Sequence, residues 1–94
     1  MIKAVFEKKG FSISGHADYD EYGKDVVCAG VSSMAQFAAY ILKAYGAHVK
    51  KEKGYLEVTL SDVNEHARIV IDTLKRALQD IQRKFPDHLK VEVI

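Results

Sequence analysis

The chain has 94 residues, with 14 Lys plus Arg against 13 Asp plus Glu, four His, one Cys and a formal net charge of +1. That length suits one domain, residues 1–94, because domains typically hold about 100–150 residues and rarely fewer than about 50. The charge balance argues against bulk attraction to nucleic acid or an anionic membrane, and a single cysteine excludes an intrachain disulfide scaffold.

Ile2, Ala4 and Phe6 alternate with Lys3, Val5 and Glu7, which is the period of a half-buried strand. Lys8, Lys9 and Gly10 turn the chain, and Phe11 and Ile13 alternate with Ser12 and Ser14 in a second strand. Residues 17–24 are polar, carry Tyr19 and Tyr22, and lack periodicity, so they read as a loop. Asp25 then suits a helix N-cap. Val27, Val31, Met34, Ala38, Ile41 and Tyr45 recur at helical spacing as far as Gly46, a natural stop. This helix is apolar nearly all round, with Lys43 the one charge between Asp25 and Gly46, and needs cover on more than one side. A second layer or a subunit interface supplies such cover.

A hairpin over 47–51 and 55–60 follows, turning at Lys53 and Gly54. Asp62 with Glu65 fits a capping box, and Val63, Ala67, Val70, Leu74, Ala77, Ile81 and Phe85 form the stripe of a second helix. Arg68 with Asp72 and Asp80 with Lys84 lie four apart on its outer face, and Pro86 ends it. Leu89, Val91 and Val93 make a last strand. The order ββαββαβ implies an α/β (α+β) two-layer sandwich, a mixed sheet with two helices over it. The pattern leaves the strand order undetermined. The most apolar stretch, 26–42, is interrupted by Gly30, Ser32, Ser33 and Gln36 and falls short of the roughly 20 apolar residues of a spanning helix. With no signal-peptide pattern in residues 1–7, the expectation is a soluble cytoplasmic protein without membrane contact.

Cys28 falls in the first turn of the first helix, where unpaired amides favour negative charge and hence thiolate. Two roles fit it, a nucleophile or a small buried hydrophobe. His16 ends the second strand, twelve residues earlier, where it suits a proton carrier for the thiol or a solvent-exposed loop residue. Asp25 either caps the helix or orients His16, with the cap preferred. Ser32, one turn beyond Cys28, either lines a pocket beside the sulfur or bonds back to a helix carbonyl. Gly15 and Gly23 bracket the loop and relieve backbone strain or admit a substrate. His48, His66 and His88 read as surface residues. No pair of His or Cys stands at zinc-ligand spacing, and the stretch from Asp18 departs from a calcium loop at Tyr22 and Ala29, so neither metal nor cofactor is expected. Lys50, Lys51 and Lys53 read as a solvated edge that blocks strand pairing, with an RNA-facing patch as the minor alternative.

Gly15-His16-Ala17, Gly23-x-Asp25-x-Val27-Cys28-Ala29 and Val31-Ser32 together resemble the signature of the ribosomal-processing cysteine protease family, Prp. The motif covers residues 15–32, and length and element order are similar to the family's throughout. The resemblance implies an endopeptidase that removes a short N-terminal extension from large-subunit ribosomal protein twenty-seven, cutting after a phenylalanine. By motif position Cys28 is the nucleophile and His16 its proton-transferring partner. Tyr19 and Tyr22 are substrate-loop candidates. A homodimer is implied as well, in keeping with a helix that lacks a polar face. Gly30 departs from the family, where Ala is common. The implied partner is a ribosomal protein precursor, with no direct binding of nucleic acid. The rival readings are a non-enzymatic ribosome-associated α/β binding module, whose affinity falls steeply with salt, and a one-cysteine redox protein cycling through sulfenic acid.

Overall fold

Our structure is a computed structural model that describes residues 1–15 and 26–94. Its elements run β1 (Ile2–Glu7), β2 (Gly10–Gly15), α1 (Val26–Ala44), β3 (His48–Glu52), β4 (Tyr55–Thr59), α2 (Glu65–Lys84) and β5 (Leu89–Val93). This is the ββαββαβ order that the alternating and helical periods predict. The five strands form one mixed sheet in the order β3-β4-β2-β1-β5. All neighbours are antiparallel except β1 and β5, which run parallel from Ile2 opposite Leu89 to Phe6 opposite Val93.

The alternation along the strands sorts side chains to two faces. Ile2, Ala4, Phe6, Phe11, Ile13, Leu56, Val58 and Leu89 are buried beneath the helices, and Ile2, Val58 and Leu89 are almost fully enclosed. The two helices supply Val27, Val31, Ala35, Ala38 and Leu42, and Ala67, Ile71, Leu74 and Leu78, to the same core. Burial of this apolar surface is the main force holding helix to sheet. Across the open face Lys3 and Glu92 pair at 3.1 Å, an exposed contact that adds little to stability.

The ends of α1 and α2 show how local sequence sets the boundaries. Gly46 takes a positive φ of 90°. Its amide bonds the Lys43 carbonyl at 3.1 Å, and the Ala47 amide bonds that of Leu42 at 3.0 Å. These two bonds make the paired closure that a glycine stop permits. At the start of α2 the expectation is corrected. Asn64, not Asp62, is the cap, its side-chain oxygen accepting from the Ala67 amide at 2.8 Å. Asn and Asp cap about equally well, so the start of the packed stripe at Ala67 decides between them.

Three further expectations shift. On α1 the buried stripe is Val27, Val31, Ala35, Ala38, Ala39 and Leu42, whereas Met34 and Ile41 are half-buried and Tyr45 is exposed. Alanines fill three of its six buried positions, and the bulkier Phe37 and Tyr40 face outward. On α2, Ile71 and Leu78 are buried, while Val70, Ala77, Ile81 and Phe85 lie half-buried at the flank. Finally, Asp72 pairs with Lys75 and Asp80 with Arg83, each three residues on rather than across the expected four-residue spacing. By length and mean hydropathy α1, at 19 residues, is apolar enough to cross a bilayer. Six of its residues lie in the core, while Val26, Phe37 and Tyr40 are exposed.

Candidate active site

Because β2 and β3 each run antiparallel to the β4 between them, they point the same way, and their last residues lie at one end of the sheet. The starts of β1 and β4 meet them there: Ile2 is opposite Gly15, and Tyr55 is opposite both Ser14 and Glu52. The first turns of α1 lie over this end. Between helix and strand ends is a cleft of about 270 Å³. Cys28 and Ser32 line its helix side, Gly15 and Ile13 the end of β2, and Lys51, Glu52, Gly54 and Leu56 the β3–β4 hairpin.

Of the residues the sequence singles out, Cys28, Ser32 and Gly15 thus meet in one cleft. His16, Tyr19, Tyr22, Gly23 and Asp25 lie outside the described residues, as does the loop predicted over 17–24. Cys28 is half-buried, packed against the core beside Val27 and Val31 yet accessible from the cleft. Gly15 is fixed by backbone geometry. Its φ is +89°, a conformation that side chains with a Cβ rarely adopt. A Cβ there would also run into the carbonyl oxygen of Met1. Its amide donates to the Gly54 carbonyl at 3.0 Å, tying the end of β2 to the hairpin turn.

Ser32 belongs to a hydrogen-bonded chain that crosses the cleft. The Gln36 side-chain nitrogen donates to Ser32 Oγ at 2.8 Å, and Lys51 Nζ donates to the Gln36 side-chain oxygen at 2.7 Å. At the rim, the Tyr55 phenol is held above its ordinary pKa. Partial loss of water is the main cause, followed by the Glu57 carboxylate, which also accepts its hydrogen bond. Gln36 and Lys51 are the site residues that sequence reasoning missed.

A thiol at the head of a helix, open to a cleft at the strand ends, is the arrangement of a cysteine hydrolase. Comparison with known proteins agrees and is more specific. Residues 1–90 match the family described as cysteine protease Prp, and the chain belongs to that family. The ribosomal processing cysteine protease Prp of Bacillus subtilis is 29% identical, with 97% of this chain and 96% of that protein covered. Two crystal structures of the Staphylococcus aureus protease Prp superpose over the full length of both chains. The one with a covalently linked product peptide gives a TM-score of 0.89 at 21% identity, and the one with a substrate peptide gives 0.85 at 20%. The chain is thus an enzyme, a cysteine protease, rather than a non-enzymatic binding module.

Proposed function

We propose that the protein is an endopeptidase that removes a short N-terminal extension from large-subunit ribosomal protein twenty-seven, with Cys28 and His16 as a catalytic dyad. The observation that carries this reading is the position of Cys28 in the wall of the cleft that Gly15, the residue directly before His16, also lines. Peptide complexes of the S. aureus protease support a peptide as the ligand of such a cleft.

In the proposed mechanism His16 takes the Cys28 proton and the sulfur attacks the scissile carbonyl carbon. The carbonyl oxygen becomes an oxyanion, stabilised by amides of the first turn of α1, which have no partner within the helix. Collapse breaks the C–N bond as His16 returns the proton to the departing amine. Water then hydrolyses the thioester and restores the thiol. In this reading Asp25 is given the capping role in preference to orienting His16, and Tyr19 and Tyr22 stay candidates for contact with substrate. The proposed compartment is the cytoplasm, where ribosomal proteins are made.

We further propose a homodimer through the outer faces of α1 and α2. An apolar groove of about 260 Å³ runs between them, lined by Met34, Phe37, Ile41, Ile69, Val70 and Ala77 among others. Phe37 is 67% and Ile69 57% exposed, surface that a second copy would cover.

Incubation with the extended ribosomal protein, followed by mass measurement, tests the assignment. The wild type is expected to remove the extension and Cys28→Ala to leave it intact. His16→Ala is expected to slow cleavage by about 10²–10⁴-fold, the usual contribution of a general acid–base. Cleavage that survives Cys28→Ala overturns the assignment.

A further inference from the structure

The chain from Lys51 through Gln36 to Ser32 fixes the direction of every proton in it but one. A lysine ammonium only donates, so the oxygen of the Gln36 amide must face Lys51, at 2.7 Å. The amide nitrogen then faces Ser32, and Oγ, 2.8 Å away, is obliged to accept. The hydroxyl proton of Ser32 is left for a different acceptor. Among the described residues, a helical serine in this position has the carbonyl of Cys28, four residues back; the cleft that Ser32 lines offers it whatever is bound there.

The sheet explains how Lys51 reaches this place. Val49 is half-buried and packs against the core, and Lys51, two residues on, shares its face of β3. Lys51 therefore reaches toward α1 although β3 is an edge strand. The contact with Gln36 stands where the Cys28 cleft meets a second groove of about 220 Å³ along α1, and the two share Gln36, Lys51 and Leu56. Ser32 and Cys28 are one helical turn apart, about 5–6 Å between Cβ atoms. Both side chains line the same wall of the cleft.

We propose that Lys51 and Gln36 are positioning residues that hold Ser32 Oγ as an acceptor and so present its proton to a carbonyl of the peptide bound beside Cys28. The proposal rests on the assignment of Cys28 as the nucleophile. Lys51 acts by locking the rotation of the amide, Gln36 by occupying the oxygen of Ser32, and Ser32 by its hydrogen bond to substrate.

Peptide cleavage by single and paired variants tests this, with thermal melts to confirm folding. Ser32→Ala is expected to lower kcat/KM about tenfold, the value of one hydrogen bond. Gln36→Glu keeps size and the contact with Lys51, but a carboxylate only accepts, so Ser32 must turn its proton away from the cleft. It is expected to lose about as much as Ser32→Ala. The pair Ser32→Ala with Gln36→Glu is expected to lose no more than either alone. Gln36→Met, which neither donates nor accepts, leaves the hydroxyl free to turn to substrate and is expected to lose less than Gln36→Glu. A merely structural Gln36 would give the opposite ranking, since Glu preserves the bridge to Lys51 and Met does not. Losses that multiply in the pair, wild-type activity in Ser32→Ala, or a Gln36→Met loss as large as that of Gln36→Glu would each overturn the proposal. Cleavage by Cys28→Ala instead sinks the nucleophile assignment, so the two failures are distinguishable.

Discussion

Replacing Gly15 with alanine separates a backbone role from a substrate role at the mouth of the cleft. The new Cβ meets two obstacles. At φ +89° it takes a conformation costing roughly 1–2 kcal/mol for a residue other than glycine. It also presses on the Met1 carbonyl oxygen beside Ile2, whose amide donates to the His88 carbonyl at 2.9 Å and joins β1 to the segment before β5. Loosening that bond costs about 1 kcal/mol more. Lower entropy of the unfolded alanine chain returns about 0.5–1 kcal/mol, leaving a net loss of about 1–2.5 kcal/mol. For a domain of this size that lowers Tm by roughly 4–20 °C. Thermal unfolding followed by circular dichroism reads the shift, and cleavage well below the transition reads activity of the folded fraction. A Tm within about 2 °C of wild type together with lost cleavage would refute the reasoning and make Gly15 a residue that leaves room for substrate.

Gly30 is the counter-case: among the described residues, nothing beyond its own stretch of helix lies within 4 Å of where its Cβ would be, and it sits inside α1. Gly30→Ala is expected to stabilise by about 0.5–1 kcal/mol, raising Tm by several degrees, and a fall in Tm would contradict the open space seen there. Asn64→Ala removes the cap of α2 and is expected to cost about 1 kcal/mol in urea unfolding, whereas Asp62→Ala costs little; the reverse ranking would restore Asp62 as the cap. Phe37→Glu places a charge in the apolar groove of the helix layer and is expected to yield monomers by light scattering. Wild-type protein that is monomeric at about 100 μM, a concentration at which a stable dimer is saturated, would remove that surface from consideration.

Element order was legible because each element carries its own period: two for Ile2, Ala4 and Phe6, and about 3.6 for the helices. The buried face of α1 was not, and the reason is compositional. When nearly every position is apolar, periodicity no longer selects a face, and volume decides instead. Ala35, Ala38 and Ala39 are buried, while Phe37 and Tyr40 are left outside. Strand order was illegible for a different cause. The parallel pairing of β1 with β5 joins the two ends of the chain, and no local pattern encodes such a partner.

The same distinction runs through the site. Cys28 and Ser32 could be picked out because one helical turn relates them, and the resemblance to a protease family pointed to the same stretch. The hairpin wall of the cleft could not, because it arises from β2 and β3 pointing the same way on either side of β4. One signal was nonetheless present in the sequence. Cys28, Ser32 and Gln36 stand four residues apart, a polar line within an arc of about 80° on a helix otherwise apolar but for Ser33 and Lys43. A buried helix carries such a line only where something polar faces it. Lys51 meets that requirement with Val49 as its companion on the inward face of β3. Counting Lys50, Lys51 and Lys53 together as a solvated edge hid the difference, since strand alternation turns Lys50 to the opposite face. What distinguishes Lys51 from Lys50 is the face it occupies, and that follows from its neighbours' burial rather than from the charge cluster.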